Sequence, residues 1–213
     1  EKVSLVCVDE NEESLELARA KASAVKDRTE FRQGKLDYLD LQDNQFDCVI
    51  GDASLLSPQR VQEMLNEMVR VAAPNAKVAL SLPTASSFAE FFSIYWEALH
   101  NCGSVDHETE VEDLITELPT ISELEQQAEQ AGLEDIESWC QIEEFDYDSG
   151  EAFLNAPLIS DFLMHSWLAN LSEEDRKKIS GEVARIINEE RHEAEFALTV
   201  KATLIVGRKT HSH

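Results

Sequence analysis

Apolar positions along the chain follow two alternating rhythms. Val3 to Val8 is an unbroken apolar run ending at Asp9, the pattern of a strand covered on both faces. Leu15, Ala18, Ala22 and Val25 then recur at helical spacing. Asn11 is the predicted cap of that helix, and Glu12 and Glu13 stand in its first turn, where carboxylates meet the positive end of the helix dipole. Thr29 to Arg32 reads as a short strand closed by Gly34. "FDCVIGD" (46–52) reads as a second buried strand, and Ser57-Pro58 as a helix start with Ser as cap. Val61, Met64, Leu65, Met68 and Val69 form that helix's inner stripe, Pro74-Asn75 a turn, and "KVALSLP" (77–83) the next strand. Strand, helix, strand, strand, helix, strand predicts an α/β fold: a Rossmann-like, mostly parallel sheet with helices on both faces.

Past residue 83 the rhythm changes. Residues 86–102, "SSFAEFFSIYWEALHNC", predict an aromatic-rich helix, and 106–118 an acidic one with Val111, Leu114, Ile115 and Leu118 inward. Thr120-x-x-Glu123 is a capping box for a third helix, which Gly132 closes. A strand is expected within Glu134 to Tyr147, helices across 149–193, and a closing strand at "FALTVKATLIVGRK" (196–209). No repeat and no linker interrupts the chain, so the expectation is one domain, 1–213, with two helical insertions at about 86–118 and 149–193.

Composition narrows the function. The chain has 213 residues, 43% hydrophobic, enough to bury a core despite a net charge of −25. That charge disfavours nucleic acid as a partner, since binding would set anions against anions without releasing counterions. No apolar run approaches the roughly 18 residues of a membrane helix. Cys7, Cys48, Cys102 and Cys140 form no CxxC, so buried, reduced thiols and a cytoplasmic location are expected. His107 with Glu108 and Glu110, and His192 with Glu193, lack the spacing of a zinc site, so no metal is expected.

Four segments, taken in order, carry a family likeness. "VCVDENEESLELARAKA", "FRQGKLDYLDLQDNQFDCVIGDASLL", "MLNEMVRVAAPNAKVALSLP" and the closing "VKATLIVGRK" together resemble the class I S-adenosylmethionine-dependent methyltransferases of the small-molecule branch. The resemblance covers about residues 3–83, 120–145 and 196–209. It implies a seven-stranded sheet whose first strand lies centrally, between the second and the fourth, and carries a Gly-rich loop around the cofactor's methionine part. The glycines are 34, 51, 103, 132, 150, 181 and 207, and no two form GxG. The segment bearing that loop is therefore expected to lie outside these residues, which start at Glu1, not Met.

A sheet without its central strand would bury unpaired backbone groups at about 1–3 kcal/mol each, against a total stability of about 5–15 kcal/mol. Three outcomes follow: residues upstream of Glu1 supply the strand, another chain fills the place, or the fold rearranges. The first is the expectation.

Asp9, at the end of its strand, is the leading site residue, because a carboxylate there accepts from both ribose hydroxyls. A solvated turn acid is the plain alternative. An NAD-binding fold uses an acid likewise, but the 34–47 spacing and the closing strand fit a dehydrogenase badly. The resemblance implies an Asp after the glycine at 34, to meet the adenine amino group. Lys35 stands there instead, leaving the Leu36 N–H and the Asp37 carboxylate as substitutes. The expected cofactor set is Asp9, Glu10, Lys35, Leu36, Asp37, Gly51 and Asp52, with S-adenosyl-L-methionine as cofactor. Expected catalytic or substrate contacts are Asp52, Tyr95 and His100, the latter two on an insertion that emerges at the ligand edge of the sheet. Phe88, Phe91, Phe92, Tyr95, Trp96 and Leu99 share one helical stripe, which is plain core or a substrate wall. The second insertion, with Phe153, Phe162 and Trp167, packs on the first or on a partner subunit, so a homodimer through the insertions is one option.

Two readings follow: methyl transfer from S-adenosylmethionine to a small molecule, or a catalytically degenerate methyltransferase-like module that binds or regulates a partner. The first is the leading reading; Lys35, the missing loop and the acidity are the features that lean toward the second.

Overall fold

The computed structural model describes residues 3–22, 24–104, 112, 118–190 and 196–210. Six strands are described: β1 Leu5–Asp9, β2 Thr29–Gln33, β3 Phe46–Asp52, β4 Ala72–Pro83, β5 Leu133–Tyr147 and β6 Phe196–Lys209. The helices are α1 Glu12–Lys21, α2 Val61–Val71, α3 Ala89–Cys102, α4 Ile121–Ala131, α5 Gly150–Asn155, α6 Met164–Trp167 and α7 Glu173–Glu190. A π-helical turn, Leu158–Leu163, joins α5 to α6.

The strands form two sheets. β1 and β2 pair in parallel as a ribbon, and the other four run in the order β3-β4-β6-β5. β3 and β4 are parallel; β6 is antiparallel to β4 and to β5, so within this sheet β6 alone runs against the rest. The fold is α/β and Rossmann-like, mostly parallel, with helices on both faces. Val78, Leu80, Leu82 and Ile205 pack under α2 and α4. Phe196 and Leu198, of opposite parity along β6, pack against α3, α5 and α7.

Helix ends follow their sequence signals. Asn11 Oδ1 accepts the Glu13 N–H at 2.8 Å. At α4, Glu123 N–H donates to Thr120 Oγ1 at 3.2 Å and Thr120 N–H to Glu123 Oε2 at 2.8 Å, closing the capping box. Gly132 ends that helix at φ +98°, a left-handed conformation that suits a residue without Cβ.

Several expectations need correction. Ser57 and Pro58 stand at the cap and first positions as read, but of a 3-10 turn over 58–60 that precedes α2 at Val61, and the Ser57 hydroxyl meets Gln59 and caps no backbone N–H. Pro74-Asn75 does not precede its strand but lies inside β4, which starts at Ala72 and takes Asn75 through φ +69°. Of the apolar stripe on α1, Leu15 alone is buried. The strands read as buried on both faces are not: Leu5 is 44% and Ile50 79% exposed. Residues directly opposite on neighbouring strands share a face, so Ile50 lies level with Ala79 and Val206, and Leu204 beside Trp139. No described helix covers that part of the sheet face, which leaves Trp139 51% and Leu204 39% exposed. Cys48 and Cys140, expected to be buried, are exposed, and the four cysteines are free thiols. The acidic helix expected at 106–118 lies outside the described residues except for Glu112 and Leu118.

Candidate functional site

β1 and β3 are the inner edge strands of the two sheets, and among the described residues neither pairs on its inner side. Both line one cleft of about 250 Å³. Its floor is apolar, with Val6 of β1, Phe46 of β3 and Leu39 and Leu41 of the loop between β2 and β3. Its rim, at the carboxyl ends of the strands, carries Asp9, Leu36, Gly51 and Asp52. Four residues of the expected cofactor set thus converge from three separate segments.

Local chemistry fixes these positions. Asp9 Oδ1 accepts the Asn11 N–H at 2.8 Å, turning the chain from β1 into α1 and holding the half-buried carboxylate at the rim. Asp52 makes the same turn after β3, accepting the Ser54 N–H at 3.0 Å. Gly51 lies close under α2: a Cβ there would stand 2.7 Å from Met68 Sδ and 2.8 Å from Met64 Cε, so the flexible tips of both methionines would have to move aside.

Two arginines of α2 and the turn before it tie the ribbon to the larger sheet across the cleft. Arg60 Nε donates to Asp37 Oδ2 at 2.6 Å, and its Nη1 to Glu10 Oε2 at 3.1 Å. Glu10 Oε1 also accepts from Arg60 Nη2 and takes the Leu36 N–H at 3.1 Å. The guanidinium holds both carboxyls below their ordinary range, and they in turn raise its own pKa. At the far end of α2, Arg70 donates to the carbonyls of Leu39 and Leu41, each at 2.8 Å, and to Glu67. Glu67 Oε2 also accepts the Leu39 N–H at 2.7 Å.

This clamp changes the expected roles. Glu10 already accepts the Leu36 N–H and shares Arg60 with Asp37, and Lys35 lies in a short bridge with Tyr38. Asp37 Oδ1 is buried without a protein partner, so one acceptor of this loop is still unmet. Tyr95 belongs to the aromatic core: it is 2% exposed, lies 5.5 Å from the Phe91 ring and donates to the Trp167 carbonyl at 3.4 Å. It lines neither the cleft nor the cavities nearby. His100 is exposed on α3, in a groove with Trp96 and Ser93 and not at the cleft. Among the described residues no three His, Cys, Asp or Glu side chains are grouped to hold a metal. No described helix is long and apolar enough to cross a membrane.

A smaller cavity, which sequence reasoning missed, opens directly beside Asp52. It starts at Ala53 and Ser54 and is walled by Leu56, Phe88, Phe92 and Trp167. Phe88 and Ser86 have φ of +63° and +72°, unusual for residues with a Cβ. The corner is pinned from β6: Phe88 N–H donates to the Thr199 carbonyl at 2.8 Å, and Ser87 Oγ accepts the Lys201 N–H at 2.9 Å while donating to the Thr84 carbonyl at 2.7 Å. A Ser-Ser-Phe sequence carries no turn signal of the Gly or Asn kind, which is why the corner was not legible.

Residues 1–75 match the sequence pattern of the methyltransferase domain family. The match covers the first third of the chain, and the fold of the whole chain is that of class I methyltransferases. Solved structures share the fold. A protein assigned as a methyltransferase from Bacillus halodurans superposes with a TM-score of 0.58 at 18% identity, over 97% of this chain and 83% of that one. YcgJ of Bacillus subtilis gives 0.55 at 18%, over 98% and 83%. Phosphoethanolamine N-methyltransferase 2 of Haemonchus contortus, in complex with phosphomonomethylethanolamine and S-adenosylhomocysteine, gives 0.54 at 16%, over 98% of this chain and 44% of that one. No protein of curated function matches the sequence. Within this methyltransferase fold, the cleft between β1 and β3 lies at the carboxyl ends of two parallel strands, the edge at which open α/β sheets take ligands.

Proposed function

We propose that the cleft between β1 and β3 holds S-adenosylmethionine and that the chain transfers its methyl group to a small-molecule acceptor. The observation that carries this reading is the convergence of Asp9, Leu36 and Asp52 on one cleft rim. The donor set suits a nucleoside. Asp9 has one oxygen in its own turn, and among the described residues no side chain holds the other, which leaves an acceptor for ribose hydroxyls. Val8, Leu36 and Ile50 offer apolar surface to a base. The bound cofactor supplies an electrophilic methyl on a sulfonium. What this chain contributes is alignment: Asp9 fixes the sugar, the clamped 34–37 loop fixes the wall beside the base, and Asp52 stands where the cleft meets the adjoining cavity. Holding acceptor and methyl in line supplies much of the acceleration in such a displacement, so no dedicated base is required.

The same gap supports a structural reading. Two inner strand edges facing one cleft suit a further extended strand, parallel to β1 and β3 and completing a single sheet over residues 1–213. Apolar Val6, Leu39 and Phe46 on the floor, below the polar rim, suit its side chains. We read 1–213 as one domain whose sheet that strand completes, with the cofactor above it.

One observation favours the binding-module alternative: Arg60 already occupies Glu10 and Asp37, two residues of the expected cofactor set. Isothermal titration with S-adenosylhomocysteine separates the two. Binding that Asp9→Ala weakens by about tenfold or more, the loss of a charge-assisted bond, supports the cofactor site. No heat with the full-length wild-type protein would leave the module as the better account.

A further inference from the structure

We propose that the methyl acceptor is a neutral, ring-bearing compound, and that the cavity at Ala53 takes its reacting end. This rests on the methyl-transfer reading above and adds the acceptor's class. The cofactor cleft ends at Asp52 and the cavity begins at Ala53, so consecutive residues, about 3.8 Å apart at Cα, form the partition between them. A group seated in the cavity thus lies next to anything held at the cleft rim.

The cavity's walls decide what enters. Leu56, Leu82, Pro83, Phe88, Leu163 and Trp167 all line it, and none of the residues lining it is charged; Ser54 carries its one polar side chain. A phosphate, carboxylate or ammonium placed here would lose its hydration and meet no opposite charge, only the Ser54 hydroxyl, so ionised acceptors are rejected. Three rings frame the space. Phe88 meets Trp167 at 5.2 Å and Phe92 at 6.4 Å, both edge to face, and Phe92 meets Trp167 at 5.5 Å. Such a frame favours another ring packed edge to face or offset. The bonds from β6 hold the Phe88 backbone at positive φ, and its buried ring packs against Phe92 and Trp167 as one wall of the cavity.

Size sets how much of the acceptor enters. The free volume is about 70 Å³, room for the reacting end of a ring system. The rest of the molecule lies outward, past Leu55, which is 56% exposed at the mouth. In the step itself, a lone pair on the acceptor's neutral oxygen or nitrogen forms the new bond to the methyl carbon. The carbon–sulfur bond breaks with its electron pair returning to sulfur, the sulfonium becomes a neutral thioether, and the acceptor's proton leaves to water.

The test is ligand-observed NMR on the whole chain, with S-adenosylhomocysteine present and its own binding measured in parallel. The probes are 2-naphthol and phosphoethanolamine. The expected result is saturable binding of 2-naphthol, none of phosphoethanolamine, and a loss of about tenfold or more in naphthol affinity for Leu55→Lys. Leu55 is exposed, so this variant folds, and unchanged S-adenosylhomocysteine affinity would report that. Binding of phosphoethanolamine, failure of naphthol to bind the loaded protein, or naphthol binding indifferent to Leu55→Lys would each overturn the acceptor class while leaving methyl transfer standing. Failure of S-adenosylhomocysteine to bind would remove the methyl-transfer reading and this assignment with it.

Discussion

Replacing Arg70 with Met keeps the length of the side chain and removes its charge and donors. In the native fold its guanidinium, 30% exposed, donates to the carbonyls of Leu39 and Leu41 and to Glu67, which is 15% exposed. Asp43, 67% exposed, adds little, because water screens that pair. Charge-assisted hydrogen bonds contribute about 1.5–3 kcal/mol each, and the freed carbonyls recover part of that from solvent. A loss of about 2–4 kcal/mol is expected from the two carbonyls and Glu67 together. With a urea slope of about 2–3 kcal/mol/M, the unfolding midpoint falls by about 1 M. The effect depends on pH with a definite sign. Arg70, and then the Leu39 N–H, hold the Glu67 carboxyl below its ordinary range. That contribution is complete above the unfolded carboxyl pKa and is lost as pH falls through the lowered folded value. The gap between wild type and Arg70→Met is therefore widest near neutrality and narrows in acid. Urea melts at pH 7 and pH 4, followed by circular dichroism, measure both. A midpoint change below about 0.2 M, equivalent to about 0.5 kcal/mol, or a gap that widens in acid, would refute Arg70 as the tie between the loop and α2.

Two further outcomes follow from the same structure. Ser87→Ala removes the bond to the Thr84 carbonyl and leaves the Lys201 N–H without its acceptor in a residue pair joined through a 2% exposed side chain; thermal melting is expected to show a loss of about 1–3 kcal/mol, and an unchanged melting temperature would show that the corner does not depend on it. Iodoacetamide at neutral pH is expected to label Cys48 and Cys140 first, because both are exposed, and Cys102 last, since burial raises its thiol pKa; peptide mapping with Cys102 labelled early would contradict the burial described for α3.

Where the sequence was legible, the local signal and the tertiary environment agreed. Asn11, Thr120 with Glu123, and Gly132 act through bonds a few residues away, so their roles survive in the fold unchanged. The stripe Val61, Met64, Leu65, Met68 and Val69 is buried as read, since α2 faces a sheet in either view. The misreadings concern what lies beyond the chain's own neighbours. "VCVD" and "FDCVIGD" have the composition of strands covered on both faces, yet Leu5 and Ile50 are exposed, because hydrophobicity does not say which helices cover a sheet; the open inner edges of β1 and β3 lie where the resemblance implied a further strand. Asp9 and Asp52 were readable as rim acids because strand ends position them. The partners of Glu10 and Asp37 were not, because Arg60 reaches them from 50 and 23 residues away. Tyr95 shared a stripe with Phe92, but one turn of α3 separates the wall of a cavity from the interior of the aromatic core.

The claim on which the rest depends is that a nucleoside sits at the rim between β1 and β3. Amide hydrogen exchange with and without saturating S-adenosylhomocysteine tests its position directly. Slowed exchange concentrated at residues 9–11, 34–37 and 51–54, with β5 unchanged, is the expected result. Protection confined to other segments, or none at all, would contradict it.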